Sequence, residues 1–499
     1  MPKLTLSMIV KNEEKYLYDC LKSVNDFADE IVLVDTGSSD NTINIAKEFN
    51  VKVYNYSWID DFSAARNFAL GKSTGQWILY LDADERLSRK SINELKNIIK
   101  GNDLTGYRCT VKSVDEVNGT PNFMKYTRLF HNNPNIKFTG KIHEQIDDSL
   151  IENGYQISDT TVEIIHIGYN VADKDLKNKA VRNLKILKDE FEKNKSSYYA
   201  YQLANTYTTL ENYDEANKYY KLSVNGNNLN KEYKALAYLN LSGYEFRKNN
   251  LDNAIEYLDK GLKNDLSNPL LNLLASEVFF RINKIDESFK FCRIALNENN
   301  RILSGLAKSV LSIGLKNESI ISKGIYYSLS SSNETEMKNF LSLLKNENNK
   351  LFEMVLKFVN NQKINETDKK DILNLITTGN IDMFLVLFER YEDKKVSLEI
   401  LKRKYSSFKD NSKFLKTLGL LYLENRFLSE AEEMFEESLA LNEKDPSSIF
   451  YLISVYMDEN QYQKIPSLLV MAEKEFGHIP EFNSKFELLK QKLNTVFEN

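Results

Sequence analysis

The stretch Trp77-Ile78-Leu79-Tyr80-Leu81-Asp82-Ala83-Asp84-Glu85 constrains the fold of this chain more than any other. Five mostly apolar residues run straight into an acidic cluster. An apolar run this short, with aromatic and branched side chains, predicts a strand buried on both faces. The carboxylates then lie at the carboxyl edge of a sheet, where open α/β sheets bind ligands. Asp82 and Asp84 are two residues apart and point the same way in an extended segment. Carboxylates so placed repel unless a cation sits between them. Mg²⁺ or Mn²⁺, hard divalent cations, take oxygen ligands and often bridge to substrate phosphates. In isolation an Asp-x-Asp string is more often a solvated acidic loop. What precedes it changes that reading.

Upstream, residues 4–10 read as a buried strand, followed by Lys11-Asn12-Glu13-Glu14. An amphipathic helix comes next, with Tyr16, Leu17, Cys20, Leu21 and Val24 on one face. A second buried strand, 30–34, ends in Asp35-Thr36-Gly37-Ser38-Ser39-Asp40-Asn41-Thr42. Gly37 permits a tight turn there, and Ser39 or Asp40 can cap a helix over 42–49. Residues 51–56 read as a third strand, 61–70 as a helix with Arg66 near its middle, and 77–81 as the fourth strand. Strand and helix alternate, which predicts a parallel α/β sheet.

Three rival readings of these loops fail. A dinucleotide fold wants Gly-x-Gly-x-x-Gly after the first strand, and Lys11-Asn12-Glu13-Glu14 holds no glycine. A P-loop is excluded on the same ground. Asp35-Thr36-Gly37-Ser38-Ser39 spells the active-site string of aspartic proteases, but those enzymes pair two such carboxylates and this chain has one copy, running into a helix.

Taken together, Ser7-Met8-Ile9-Val10-Lys11-Asn12-Glu13-Glu14, Val34-Asp35-Thr36-Gly37-Ser38-Ser39-Asp40, Ala65-Arg66-Asn67 and Leu81-Asp82-Ala83-Asp84-Glu85 resemble, in kind and order, the family 2 glycosyltransferases with the GT-A fold. The resemblance covers roughly the first third of the chain. It implies that Asp35 binds the nucleotide base with Glu13 or Glu14 beside it, that Asp82 lies by the ribose, and that Asp84 binds the metal. Val10 and Ala83 would line the donor site. Arg66 would face the diphosphate, and a guanidinium and a cation both offset charge on a departing nucleoside diphosphate.

Past Leu87 the pattern changes. Residues 88–100 read as a helix with Ser88 as a possible cap, and 106–114 and 125–130 as strands. Then come Phe138-Thr139-Gly140-Lys141-Ile142-His143-Glu144-Gln145 and Ile164-Ile165-His166-Ile167-Gly168-Tyr169. The four histidines are His131, His143, His166 and His478. Gly-x-Ile-His-Glu and His-x-Gly-Tyr strings are similar to those of the family 2 branch that carries tetratricopeptide repeats. That resemblance makes His166 a candidate metal ligand and Glu144 a candidate general base, with Asp147, Asp148 and His143 as rivals.

From about Asp173 strand signals fade and self-similarity appears. Asn212-Tyr213-Asp214-Glu215-Ala216 is echoed by Asn250-Leu251-Asp252-Asn253-Ala254 and by Lys284-Ile285-Asp286-Glu287-Ser288. Arg426-Phe427-Leu428-Ser429-Glu430-Ala431 and Asn460-Gln461-Tyr462-Gln463-Lys464 repeat the pattern. A period near 34 with helix–turn–helix units resembles tetratricopeptide repeats. The expected division is a GT-A domain over 1–170, repeats over 171–300, degenerate helical repeats over 301–410 and further repeats over 411–499. Residues 345–350 read as a loop between helices. Stacked helical pairs leave a concave face, on which some tyrosines would meet a peptide while most pack the repeats. A dimerisation or scaffold role for this half is the alternative.

Composition narrows the function. A length of 499 residues exceeds one ordinary core. With 42% hydrophobic and 27% charged residues the chain reads as a soluble globular protein. A net charge of -5 without a basic stripe argues against nucleic acid. No apolar run approaches the length of a membrane span, and the first residues lack the apolar core of a signal peptide. Cys20, Cys109 and Cys292 are scattered and odd in number, so ordinary buried thiols in a cytoplasmic setting are expected. The resemblance then implies a metal-dependent, inverting transferase using a UDP-sugar, UDP-GlcNAc or UDP-Glc, with Mn²⁺ or Mg²⁺. Its acceptor would be a protein or peptide, as for the sublancin S-glycosyltransferase and flagellin-modifying type, and a homodimer is a possible assembly. A role in cell-surface polysaccharide or lipopolysaccharide synthesis, and a non-catalytic repeat adaptor, are the rivals.

Overall fold

A computed structural model describes residues 3–115, 120–167, 173–226, 229–306, 309, 311–442, 445–477, 486–491 and 493. Gly168, Tyr169, His478 and the boundary expected at 170 lie outside the described residues. The chain divides into two compact units, Met1–Asn317 and Glu318–Asn499.

The first unit opens with β1 (Leu4–Val10), α1 (Leu17–Val24), β2 (Glu30–Asp35), α2 (Thr42–Lys47), β3 (Val51–Asn55), α3 (Phe62–Lys72) and β4 (Trp77–Tyr80). These four strands are parallel, in the order β3-β2-β1-β4. β1, β2 and β4 are buried almost throughout, as continuous apolar runs require. On α1, Leu17, Cys20, Leu21 and Val24 face inward as the spacing predicts, while Tyr16 stands before the helix as its N-cap residue and is half-buried. Asp61 caps α3 by accepting from the Ala64 N–H at 2.8 Å.

The rest of the sheet departs from the all-parallel expectation. It is built from β5 (Glu85–Leu87), α4 (Ile92–Ile98), β6 (Thr105–Asp115), β7 (Thr120–His131), α5 (Asp147–Glu152) and β8 (Gln156–His166). The order continues β4-β7-β6-β8-β5, with β7 antiparallel to both β4 and β6. β6 and β7 are joined too closely in sequence for a crossover, so they pair as a hairpin. The helix expected from Ser88 starts as a 3₁₀ turn, Arg89–Ser91, and Ser88 makes no side-chain cap.

Seven helices follow: α6 (Asp173–Asn194), α7 (Ser197–Thr209), α8 (Tyr213–Asn225), α9 (Lys231–Arg247), α10 (Leu251–Asn264), α11 (Pro269–Arg281) and α12 (Ile285–Leu303). The repeated strings begin the second helix of each pair. Ala216, Ala254 and Ser288 are buried there, small enough for close helix crossing. Before each string stands a left-handed residue: Glu211 (φ 60°), Asn249 (φ 59°) and Asn283 (φ 59°). That conformation reverses the chain at a helix end, and asparagine tolerates it better than most residues. β9 (Leu311–Ile313), in a region read as helical, then pairs antiparallel with β7 at Asn122–Met124. Leu311 and Ile313 also pack against the repeat core of Tyr201, Tyr207 and Leu236.

The second unit is helical throughout its described residues. Left-handed Arg426 (φ 65°) and Asn460 (φ 59°) mark its repeat turns in the same way. The polar run 345–350 is not a loop. Helices Glu334–Glu347 and Asn349–Val359 meet at Asn348 alone, whose side chain caps the second by accepting from the Leu351 N–H. Among the described residues no helix is long and apolar enough to cross a membrane. Cys20, Cys109 and Cys292 are all buried.

Candidate active site

The register of β1 places Val10 beside Asp35 and Ser7 beside Tyr80, so the carboxyl ends of β1, β2 and β4 open on one edge. Two loops are laced together there. The Asn12 N–H donates to Ser38 Oγ at 2.9 Å, and Asn12 Oδ1 accepts from the Ser39 N–H at 2.8 Å. The Glu13 N–H donates to Thr42 Oγ1 at 2.7 Å. Glu14 turns its carboxylate to the Asn41 N–H at 2.9 Å, so it serves the loop itself. Asp35 is buried and accepts from the Gly37 and Ser38 N–H groups at 3.1–3.2 Å. Gly37 (φ +105°) makes that turn possible. The buried Val10 accepts from the Thr36 N–H through its carbonyl.

Asp82 stands between two buried arginines. Arg66, on α3, donates from Nη2 to Asp82 Oδ1 at 2.6 Å and from Nε to Glu144 Oε1 at 2.5 Å. Its guanidinium carbon lies 5.1 Å from the Tyr80 ring centroid. Arg128, on β7, donates to Glu85 Oε1 at 2.7 Å, approaches Asp82 Oδ2 at 3.5 Å and covers the Tyr80 ring from 4.5 Å. Burial alone would raise the Asp82 carboxyl, but Arg66 and then Arg128 hold it well below the usual range. Burial pushes Glu85 up, against the pull of Arg128. Burial, Asp84, Asp82 and Asp40 push Glu13 up to about 7 against the pull of Lys179, so Glu13 faces the same acidic space.

β5 and β8 bring the last pair together. Glu85 is in register with His166, and the Ile167 N–H donates to the Asp84 carbonyl at 2.9 Å. His166 Nε2 consequently lies 3.1 Å from Asp84 Oδ2. Burial presses the imidazole down, but the hydrogen bond and charge of Asp84 outweigh it, and the pKa is raised. Buried Arg86 braces the acidic loop from behind, donating to the carbonyls of buried Ala83 at 2.8 Å and Tyr16 at 2.6 Å.

Of the expected residues, the structure gathers Arg66, Asp82 and Glu144 in one ion-pair cluster, and Asp84 with His166 beside it. Asp35 and Glu14 are tied into the adjoining loops. Among the rivals of Glu144, Asp147 is paired with Arg108 at 3.0 Å, and His143 and Asp148 are exposed. Arg128, Glu85 and Arg86 were not expected. Their one signal is a charge of either sign standing in an otherwise buried strand.

Among the described residues no three His, Cys, Asp or Glu side chains gather to cage an ion. Asp84 and His166 nonetheless offer converging oxygen and nitrogen donors. That is the partial set a Mg²⁺ or Mn²⁺ ion uses when substrate phosphates and water complete its shell.

Comparison with known proteins defines the class. Residues 5–151 match the model for glycosyl transferase family 2, and residues 197–225 match a tetratricopeptide repeat. The chain thus carries a family 2 glycosyltransferase domain followed by tetratricopeptide-like helices. In particular, it is 39% identical over 175 residues to the TPR repeat-containing protein Synpcc7942_0270 of Synechococcus elongatus, spanning 34% of this chain and 43% of that one. It is 31% identical over 193 residues to the SPbeta prophage-derived glycosyltransferase SunS of Bacillus subtilis, spanning 38% of this chain and 45% of SunS. Less than half the length of either relative is matched. Among solved structures, S. aureus TarS in complex with UDP-GlcNAc aligns at 14% identity and a TM-score of 0.28, over 61% of this chain and 93% of that one. An overlay this loose says nothing of substrate.

Proposed function

We propose that the protein is a metal-dependent, inverting glycosyltransferase that moves a sugar from a nucleotide sugar, UDP-GlcNAc or UDP-Glc, to a side chain of a protein or peptide. The observation that carries this reading is the cluster of Asp82, Asp84, His166, Arg66 and Glu144 at the carboxyl edge of a family 2 domain. Both guanidiniums already face carboxylates, so a diphosphate would add negative charge to a cluster acidic on balance. A divalent cation held by Asp84 and His166 would supply the missing positive charge.

Asp35 and Glu13 would receive the base, Val10 and Ala83 would line the donor, and Asp82, fixed between Arg66 and Arg128, would meet the ribose. Glu144 takes the proton from the acceptor as its oxygen or sulfur attacks the anomeric carbon. The bond from that carbon to the diphosphate breaks on the opposite face. Arg66 keeps Glu144 aimed while it waits. The helices after residue 170 would seat the acceptor, since such repeats commonly bind peptides. The tetratricopeptide match at residues 197–225 favours this over a polysaccharide acceptor.

The test is a panel of nucleotide sugars measured by thermal shift with and without Mn²⁺, alongside the intact mass of co-expressed candidate acceptors. A true donor at about 100 times its dissociation constant adds about 2.7 kcal/mol of stability. A gain of one hexose or N-acetylhexosamine on a protein supports the acceptor class. Sugar found only on glycan or lipid overturns it.

A further inference from the structure

The loop that carries Glu144 does not hold its own shape. It contains two left-handed residues, Gly140 (φ +92°) and His143 (φ 53°), the second directly before Glu144. A non-glycine residue in that region persists only where its surroundings impose it. The loop closes through one backbone pair, Thr139 N–H to Gln145 O and Gln145 N–H to Thr139 O, both 2.9 Å. On one side α3, the helix bearing Arg66, grips it: the Phe62 N–H donates to the Lys141 carbonyl at 2.8 Å, and Ser63 Oγ donates to the Gly140 carbonyl at 2.5 Å. On the other side stand the first helices after the transferase segment. Ile142, at the tip, is 4% exposed and packs among Ile186, Leu187, Tyr199 and Leu203 of α6 and α7. The Tyr198 hydroxyl donates to the His143 carbonyl at 3.4 Å. A Cβ on Gly140 would lie 2.9 Å from the Tyr199 hydroxyl, so the contact is close.

We infer that α6 and α7 are part of the transferase machinery, and that Ile142, seated in them, is the positioning residue that keeps Glu144 on Arg66. This rests on the role proposed for Glu144. A second contact points the same way: the helical segment returns through β9 to β7, the strand that carries Arg128. Both arms of the ion-pair cluster are thereby braced by the chain beyond residue 170. The helices then do more than dock an acceptor, since whatever loosens α6–α7 also loosens Glu144.

The test is Ile142→Ala in the full chain, read by amide hydrogen exchange and by turnover. Exchange at Thr139 and Gln145 should quicken at least ~10-fold while the amides of β1 and β2 keep their protection. Turnover at saturating donor should fall by up to ~100-fold, as for a slightly misplaced catalytic group, with donor affinity within about twofold of wild type. Ile142→Val should restore most of both. Leu187→Ala, which opens the same contact from α6, should reproduce the pattern and decides the matter if Ile142→Ala disrupts the whole sheet. Exchange at Thr139 and Gln145 unchanged in both alanine variants overturns the inference. If wild-type protein transfers no sugar from UDP-Glc, UDP-GlcNAc, UDP-Gal or GDP-Man, the proposed function fails, and the exchange result alone judges the positioning claim.

Discussion

Arg66 Nε lies 2.5 Å from Glu144 Oε1, across 78 residues of sequence, and the same guanidinium reaches Asp82 Oδ1 at 2.6 Å. One side chain therefore joins the acidic motif of the proposed donor site to the candidate base. Glu144→Gln preserves shape and an acceptor oxygen for Arg66 while removing the basic group. Turnover at saturating donor should fall at least ~100-fold with donor affinity nearly unchanged, since a general base is worth about 10²- to 10⁴-fold. Turnover that survives the change assigns the proton to another group. A joint loss of affinity and turnover places Glu144 on the donor side.

His166 tests the proposed metal site from β8. His166→Ala leaves Asp84 in place and removes one converging donor. Mn²⁺ affinity, titrated through donor-induced stabilisation, should weaken roughly 10- to 100-fold. An unchanged titration would mean that His166 serves only to join β8 to the acidic loop.

Much of this arrangement was legible in the sequence because it is local. β1, β2 and β4 announce themselves as apolar runs, and Asp35 and Asp82 stand at their ends. β5 did not, because Glu85-Arg86-Leu87 carries two charges whose partners, Arg128 and the carbonyls of Ala83 and Tyr16, come from distant segments. β9 escaped for the same reason: three residues in helical surroundings become a strand only beside β7. Arg128 sits in the run Tyr126-Thr127-Arg128-Leu129-Phe130, where nothing nearby reveals the carboxylates it meets. The repeat turns were legible by period, but not the left-handed residue at each, since only asparagine hints at it.

Glu30 is a buried charge of this non-local kind, and it predicts a pH dependence of stability. Burial would raise its pKa, but Lys52 at 2.7 Å, the Thr5 hydroxyl and the N–H and hydroxyl of Thr74 outweigh that and lower it to about 2. The folded pKa lies below the unfolded one. Its stabilisation is therefore complete above the ordinary glutamate range and is lost as pH falls toward 2. The contribution is roughly 2 kcal/mol after discounting for the solvent-facing Lys52. Chemical denaturation of wild type and Glu30→Gln at stepped pH isolates it: the gap between them should narrow from pH 6 to pH 3. A constant gap would contradict the assignment.

Arg426 occupies a left-handed position (φ 65°), and among the described residues its side chain makes only an exposed contact with Asp458 at 3.5 Å. Glycine adopts that backbone without the penalty of a Cβ, and exposed ion pairs contribute little. Arg426→Gly should stabilise the second unit by about 1 kcal/mol. A lower melting temperature would show that the Arg426–Asp458 contact outweighs the backbone term.

The central claim is that a divalent cation on Asp84 brings a nucleotide sugar to this edge of the sheet. The most direct measurement is the slow hydrolysis of UDP-GlcNAc and UDP-Glc by the purified full chain. It is followed with Mn²⁺ and with chelator, in wild type and in Asp84→Ala. The account predicts release of UDP by wild type with Mn²⁺ alone, and loss of at least ~100-fold in Asp84→Ala, whose circular dichroism and melting curve stay those of a folded protein. Hydrolysis indifferent to Mn²⁺, or within tenfold of wild type in Asp84→Ala, would contradict it.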